Sequence, residues 1–561
     1  VSATLPYRYD SSAFREVFEH HFTYLAGVQR NSHRFAAEPA LSDPAGGRAW
    51  TYAELWSDAG RLADGLAGHG VAPGDVVVFA LYNSPEFALL WIACQRLGAV
   101  AAPINFRLSA GEIAHVIDDS RPSAFVFEES LTGTVADALT LAEHQPSLRC
   151  TVGEAPTGSR GGAAPALAFA QLLADGDPDA DPEPPAAATV YEETTRLYTS
   201  GTTGMPKGVS LSSLVEVLSA HDVIMHFPLA PGDRTLNMTP WFHRGGLYSG
   251  GPNPVLYVGA EAVALRQFDP ATVLDWVQER ALTFLIGAPT NLAMLTAEQS
   301  VRPRDLSSLS GIVTMGAPLD RAACLRYQET LTARIFNGYG TTEAFWNTFL
   351  RPGDLPAHAG SAGRACTDDD VAVVKVYEDR LADPGDTVAK DGEEVGEVAV
   401  RSVKSGYAYV NQPTEQAERF HDGWLYIGDL ATWDAEEYVT IVGRKDDMII
   451  SGGENVHPSQ VEAVLAAHPG VADAAVVGLR DERWGELVVA YVVATPDPAH
   501  PLDAAALEAF TRAHPMLAGF KRPRRYRFVD ELPMTATGKK VHYRVREMAV
   551  DDAAAGRLQR P

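Results

Sequence analysis

The stretch Leu197-Tyr-Thr-Ser-Gly-Thr-Thr-Gly-Met-Pro-Lys-Gly-Val209 interleaves three glycines, four aliphatic hydroxyl side chains (Thr199, Ser200, Thr202, Thr203) and one cation, Lys207. Gly201 and Gly204 let the backbone fold back and aim its N–H groups at an anion. This is the chemistry of a loop that wraps a polyphosphate, and it is not the Walker pattern, which the chain lacks. A second cluster, Asn337-Gly338-Tyr339-Gly340-Thr341-Thr342-Glu343, offers an aromatic ring for a flat heterocycle, hydroxyls for a phosphate and a carboxylate for Mg2+. The same residues would also suit an ordinary turn with an exposed glutamate. Asp429 and Arg444 pair an acid with a base, as ribose ligands or as a surface ion pair. Thr535-Ala-Thr-Gly-Lys539 presents a lysine on a polar turn, and Phe520-Lys-Arg-Pro-Arg-Arg-Tyr-Arg527 is the densest basic run. Guanidinium groups chelate phosphates, so that run fits a nucleotide clasp.

The elements that must position these groups alternate. Thr51-Tyr-Ala-Glu54 is a capping box, followed by Leu55, Ala59, Leu62 and Leu66 on one helical face. Val76 to Leu81 reads as a buried strand, Glu86 to Leu97 as a helix, Val100 to Ile104 as a strand. A second capping box, Ser109 to Glu112, opens a helix, and Ala124 to Phe127 is a strand. This spacing implies parallel βαβ units. Residues 153–190 are rich in Ala, Pro, Gly and Asp and read as a solvated, partly mobile connection. A second α/β stretch follows, then a strand-rich small β subdomain from Val371 to Val403. Beyond Asp446, helices over Pro458–Ala467 and Asp503–Arg512 and strands over Ala474–Val477 and Leu487–Val493 form a small α+β unit. The expected organisation is α/β: a large N-terminal domain (1–445) of βαβ subdomains plus a small β subdomain, a small mobile α+β C-terminal domain (446–550), and a frayed tail (551–561).

At 561 residues the chain exceeds one compact core. A formal charge of −26 argues against a general nucleic-acid binder or an anionic-membrane binder. The four cysteines are scattered without metal spacing, and no signal peptide or membrane-spanning run is read, so the expected location is cytoplasmic.

In order and spacing these motifs resemble the adenylate-forming superfamily over roughly Thr51 to Arg546. The 443–462 segment and the Phe-Lys-Arg-Pro run are most similar to the aryl-CoA ligases, 4-chlorobenzoate–CoA ligase among them. The resemblance implies ATP (or acyl-AMP), Mg2+ and coenzyme A as cofactors, and a two-step reaction in which a carboxylate displaces pyrophosphate and the CoA thiol then displaces AMP. It implies that the 199–207 loop (Thr199, Ser200, Gly201, Thr202, Thr203, Gly204, Lys207) holds pyrophosphate, Thr342 touches the α-phosphate and Glu343 binds the metal. Gly316, Ala317, Pro318 and Tyr339 frame adenine, with Asn337, Gly338, Gly340 and Thr341 in the same turn, and Asp429 and Arg444 hold the ribose. Lys539 bridges the carboxylate and the α-phosphate. Asp446 is the hinge of a rotation that brings in Ser451, Gly452, Gly453 and Glu454, while Trp484, Phe520 and Arg522, with neighbouring Lys521, hold CoA. Pro240-Trp-Phe-His243-Arg-Gly-Gly246 matches the acyl-pocket motif, with His243 as gate or wall. Gly245 and Gly246, with Gly250 and Gly251, suggest a roomy pocket for a bulky aryl, polycyclic or branched acid.

Three positions depart from the family pattern: Ile427 replaces a threonine, Lys540 follows the catalytic lysine, and Glu437 stands where a turn glycine is common. The first two bear on adenylation, so a thioesterification-only ligase fed by an upstream adenylating enzyme is one alternative, and an enzyme loading a carrier protein is another. A monomer or homodimer is expected.

Overall fold

The structure, a computed structural model, describes residues 11–153, 166–200, 205–317, 319, 321–377, 380–444, 448–456, 458–495, 502–515, 517–533, 540 and 542–561. Among the described residues four sheets form. The first runs edge to edge through Leu167–Ala168, Leu148–Val152, Ala124–Glu128, Val76–Ala80, Val100–Pro103, Glu193–Ser200 and Pro206–Ser212. Its neighbours are parallel except the last pair, a hairpin. Val76–Ala80 is buried along its whole length, which is why it reads as an unbroken apolar run. The helices before and after it begin as expected: Thr51 with Glu54, and Ser109 with Glu112, form reciprocal capping boxes.

The second sheet has a parallel centre of Pro39–Asp43, Glu261–Val263, Arg234–Asn237, Phe284–Gly287, Gly311–Met315 and Ile335–Thr341. Antiparallel strands close both edges. Ligands of such sheets bind beyond the carboxyl ends of the strands. Met315 lies opposite Gly338 in the parallel register, so Gly316 and the Tyr339 turn leave the sheet side by side.

The small β subdomain is the antiparallel sheet of Asp369–Val374, Gly396–Ser402, Trp424–Trp433, Phe420–His421 and Val439–Arg444. The C-terminal unit has its own sheet, Ile449–Ser451, Glu454–Val456, Val471–Asp481, Gly485–Ala494 and Arg525–Phe528. The helices Pro458–Ala466, Ala504–Ala513 and His542–Ala554 complete that unit. No helix among the described residues is long and apolar enough to cross a membrane.

Two expectations need correction. Part of the 153–190 connection is packed rather than solvated. The buried Arg96 guanidinium pairs with Asp181, donates to the Pro182 carbonyl (3.3 Å) and lies over the Trp56 ring. The tail is anchored rather than frayed: residues 551–554 complete the last helix, and Gln559 exchanges backbone hydrogen bonds of 3.0 and 2.8 Å with Tyr526. Leu558 packs against the apolar cluster of Tyr491 and Val545. The helices Ser11–His21 and Tyr24–Arg34, which precede the first pattern read, complete the N-terminal part.

Candidate functional site

The described flanks of the glycine-rich stretch form the pair Glu193–Ser200/Pro206–Ser212, where Thr199 faces Lys207 across the ladder. The hairpin is rooted in a buried polar cluster. Glu216 accepts from Thr195 Oγ1 (2.5 Å), Gln95 Nε2 (3.0 Å) and the Tyr248 hydroxyl (3.2 Å). Burial outweighs those bonds and pushes the Glu216 carboxyl up to about 7. Lys207 is buried, forms an ion pair with Glu415 and lies over the Tyr409 ring at 5.4 Å. Burial alone would raise the Glu415 carboxyl, but Lys207 and then Arg419 more than reverse it and hold it below the usual range.

The Tyr339 turn joins the second sheet to the small β subdomain. The Tyr339 hydroxyl donates to Asp429 Oδ2 at 2.8 Å, so the expected adenine and ribose residues touch. Asp429 lies opposite Arg444 on adjacent strands, which puts the expected ribose pair in register. The Tyr409 hydroxyl donates to Glu343 Oε1 at 2.6 Å, and burial together with that carboxylate raises the Tyr409 phenol well above its ordinary range, which keeps it a donor. A carboxylate has about four acceptor positions, so Glu343 retains capacity for a cation and fits the expected metal role. A separate buried group, Asp222, His226 and Cys366, brings its ligand atoms within 4.8 Å of one another, but Lys404 Nζ lies 2.9 Å from Asp222 and 3.0 Å from Asp369 and supplies the positive charge there.

The C-terminal unit packs its Ile449–Val456 edge onto this site. Glu454 is buried, accepts from Asn105 Nδ2 at 2.7 Å and pairs with Arg107. His243 Nε2 lies 3.7 Å away, at ion-pair rather than hydrogen-bond distance. Burial pushes the Glu454 carboxyl up, and His243 and Arg107 together bring it below its ordinary value. One pocket unites the two units: Thr199 and Thr342 on the nucleotide side, Phe242 and His243 beside them, and Glu454, Asn455 and Phe520 from the C-terminal unit. Gly452 and Gly453 both have left-handed backbone (φ +62° and +79°), and a Cβ on Gly452 would press on the Trp484 ring at 3.0 Å. Trp484 is 37% exposed, available for a stacking partner.

Two of the expected roles change, and a third expected ligand, like Lys207, is already paired. Lys521 is only 2% exposed, and its ammonium contacts Glu112 and Gln460 Oε1 (2.9 Å). It bridges the two units instead of presenting charge to a phosphate. Arg522 gives an N–H to Glu508 at 2.6 Å, so its charge is already matched. Gly246 is small for packing: a Cβ there would lie 1.8 Å from the Pro240 carbonyl oxygen, and one on Gly251 would lie 1.9 Å from the Gly246 oxygen. Neither Gly245 nor Gly246 lines the shared pocket, so the argument from glycines to a roomy pocket falls. Gly201, Thr202, Thr203, Gly204, Pro318, Asp446 and Lys539 lie outside the described residues, as do the side chains of Ser200 and Arg444. The sequence reading missed Tyr409, Glu415, Asn105, Arg107 and Glu112, which hold expected site residues from distant segments. Only Glu112 carried a local signal, its capping box.

The departures also find their places. Ile427 is buried in the core of the small β subdomain, which Tyr339 packs against. Lys540 Nζ lies 2.8 Å from Asp473 and 2.5 Å from the Ala474 carbonyl, within the C-terminal unit. Glu437 takes the left-handed backbone (φ +67°) of a turn glycine.

Comparison with known proteins is consistent with this geometry. A family model described as AMP-binding enzyme matches residues 28–408, and one for the AMP-binding enzyme C-terminal domain matches 460–539. A feruloyl-CoA synthase of an Amycolatopsis species is 36% identical, covering 89% of this chain and 94% of its own. A 4-chlorobenzoate–CoA ligase of an Arthrobacter species is 33% identical, covering 93% and 94%. Among solved structures, a double mutant of the Bacillus subtilis o-succinylbenzoate CoA synthetase bound with its product analogue OSB-NCoA has a TM-score of 0.79, at 26% identity and 93% and 98% coverage. That synthetase in complex with the acyl-adenylate intermediate OSB-AMP scores 0.65, at 26% identity and 93% and 97% coverage.

Proposed function

The chain belongs to the AMP-binding enzyme family and is an acid–thiol ligase, and on that premise we propose that it converts a bulky hydrophobic acid, aryl in the first instance, to its CoA thioester by rotating its C-terminal unit between two arrangements. The observation that carries this reading is the shared pocket, in which Glu454, Asn455 and Phe520 meet Thr199, His243 and Thr342. That packing suits the second half-reaction. The higher TM-score to the product-analogue complex than to the acyl-adenylate complex of the same synthetase supports the assignment.

In the first step the acid's carboxylate oxygen attacks the α-phosphorus of ATP, and pyrophosphate leaves. The 199–207 loop would hold the phosphates, with Lys207 exchanging Glu415 for them, and Thr342 would touch the α-phosphate. Tyr339 and Gly316 would frame adenine, and Asp429 with Arg444 would hold the ribose. Glu343 would hold Mg2+, whose charge offsets that of the phosphates. Lys539 would neutralise charge at the reacting oxygens. After rotation about Asp446, Lys539 would withdraw and the Glu454 edge would arrive, a reading that the packing of Glu454 against Asn105 and Arg107 supports. The CoA sulfur then attacks the acyl carbon, AMP leaves with the bonding pair, and the thiol proton passes to solvent. Two steps in one site, the first at phosphorus and the second at the acyl carbon, need two sets of neighbours, which is the reason for the rotation. The buried Ile427 and the paired Lys540 support retention of both steps.

The aryl preference draws support from the relatives named for feruloyl- and 4-chlorobenzoyl-CoA formation, and from Phe242, which lines the pocket and meets Phe106 edge-on at 5.4 Å. CoA-dependent pyrophosphate release over aromatic, branched and straight-chain acids tests it. Highest kcat/KM for an aromatic acid is expected, and a straight-chain optimum contradicts the preference.

A further inference from the structure

The residue after His243 is a charge that the function described above does not use. Arg244 opens the short helix Arg244–Tyr248 and is 3% exposed. Its Nη1 donates to the Thr342 carbonyl, and its Nη2 donates to Ser219 Oγ (3.1 Å) and the Lys404 carbonyl (2.8 Å). The guanidinium carbon lies 5.4 Å from the centroids of both Tyr248 and Phe345. Among the described residues no carboxylate comes within ion-pair distance of it, and Nε is buried without a hydrogen-bond partner. Such a buried, unpaired cation is costly unless its surroundings demand it. Burial pushes the guanidinium down to about 10, so it stays charged at neutral pH.

The surroundings show what is gained. Thr341 pairs with Phe345 across the hairpin, leaving Thr342, Glu343 and Ala344 as its three-residue loop. Phe345 has φ +61°, a left-handed backbone that costs a bulky residue on the order of 1–2 kcal/mol. Strain of this kind persists only where neighbours over-determine it. Phe345 is stacked on Trp346 (4.9 Å) and faces Arg244, while Arg244 also fixes the Thr342 carbonyl, immediately before Glu343. Gly406 N–H to the Glu343 carbonyl (2.8 Å) and Tyr409 to its carboxylate complete the frame.

We propose that Arg244 is the positioning residue of the nucleotide turn: by clamping the Thr342 carbonyl and roofing the Phe345 ring, it sets where Thr342 and Glu343 meet MgATP. The inference rests on the ligase reading, in which those two residues serve adenylation.

The test compares wild type, Arg244→Lys and Arg244→Met. Pyrophosphate exchange is followed against MgATP, and thioester formation from saturating acyl-adenylate and CoA is followed separately. Losing charge-assisted bonds should lower kcat/KM for exchange in Arg244→Met by about 30-fold, with thioester formation within about threefold of wild type. Arg244→Lys should regain part of the loss. Thermal melts of the same variants accompany the assays, and exchange should fall in Arg244→Met well below its melting temperature while thioester formation persists, which a merely structural role would not allow. If Arg244→Met does not fold, a selective rise in the MgATP KM of Arg244→Lys is the expected sign. Equal losses in both half-reactions overturn the proposal. Exchange by Arg244→Met at the wild-type rate overturns this inference alone, whereas absence of exchange by the wild type with every acid overturns the adenylating half of the ligase reading as well.

Discussion

Lys521→Met should slow thioester formation and leave adenylation intact. The Lys521 ammonium and the Glu112 carboxylate are both buried where the two units meet, and Gln460 joins them. Removing one partner of a buried ion pair costs about 3–5 kcal/mol, because the other charge remains buried and unmatched. Here the remaining carboxylate keeps hydrogen bonds from Ser109 N–H (2.9 Å), Ser109 Oγ (2.7 Å) and Gln460 Nε2 (3.3 Å), which softens the loss. A cost of about 2–3 kcal/mol follows, or roughly 30- to 150-fold in the population of this packing. The contact crosses between units, so the cost falls on this arrangement and not on the one that adenylates. Thioester formation from acyl-adenylate and CoA should fall by that factor, while pyrophosphate exchange should hold or rise. Adding Glu112→Gln to Lys521→Met removes the orphaned charge and should recover about tenfold. A parallel fall in both half-reactions refutes the reasoning. So does a change confined to the CoA KM without recovery in the double variant, which would return Lys521 to the role of a phosphate ligand.

The remaining expectations concern the nucleotide side and its support. Glu216 is raised to about 7 from an ordinary 4.5, so its neutral form stabilises the fold fully below the ordinary value, and that contribution is lost as pH rises to and past 7. Between pH 5 and 8 the wild type should lose about 2–3 kcal/mol relative to Glu216→Gln in chemical denaturation, and a pH-independent difference contradicts the burial argument. Tyr339→Phe removes the hydroxyl held 2.8 Å from Asp429 and should raise the ATP KM about tenfold; an unchanged KM separates that pair from the nucleotide. Gly246→Ala should destabilise by more than about 3 kcal/mol in thermal melts because backbone blocks the new methyl, whereas Gly245→Ala meets only the flexible Met315 side chain and should cost about 1 kcal/mol or less. Equal melting of the two alanine variants contradicts the packing assignment.

Local grammar made much of this legible. The capping boxes at Thr51 and Ser109 and the all-apolar Val76 strand are decided by near neighbours, and they stand where the sequence places them. The contact between Tyr339 and Asp429 was also within reach, since both lie in motifs that resemble nucleotide ligands. Long-range charge matching was not. Lys521 and Arg522 read as a phosphate clasp because nothing local announces Glu112 and Glu508 as their partners. Lys207 looked like an uncompensated cation for the same reason, with Glu415 supplied by a helix of the small β subdomain. Gly246 looked like room for a substrate, when its missing side chain admits the Pro240 carbonyl. The tail looked too small and polar to pack, yet Leu558 and the backbone of Gln559 suffice to hold it. Arg244 passed unremarked, because a charge beside a pocket histidine suggests the surface and not a buried brace.

The measurement closest to the central claim separates the two half-reactions in the wild-type protein. ATP, Mg2+ and a panel of aromatic acids are supplied without CoA, and pyrophosphate is followed. Presynthesised acyl-adenylate of the best acid is then supplied with CoA, and the thioester is followed by mass spectrometry. Both signals from one acid are the expected result for a complete ligase that alternates its C-terminal unit. Thioester without pyrophosphate contradicts it and assigns adenylation to another enzyme, and pyrophosphate without thioester contradicts CoA as the acceptor.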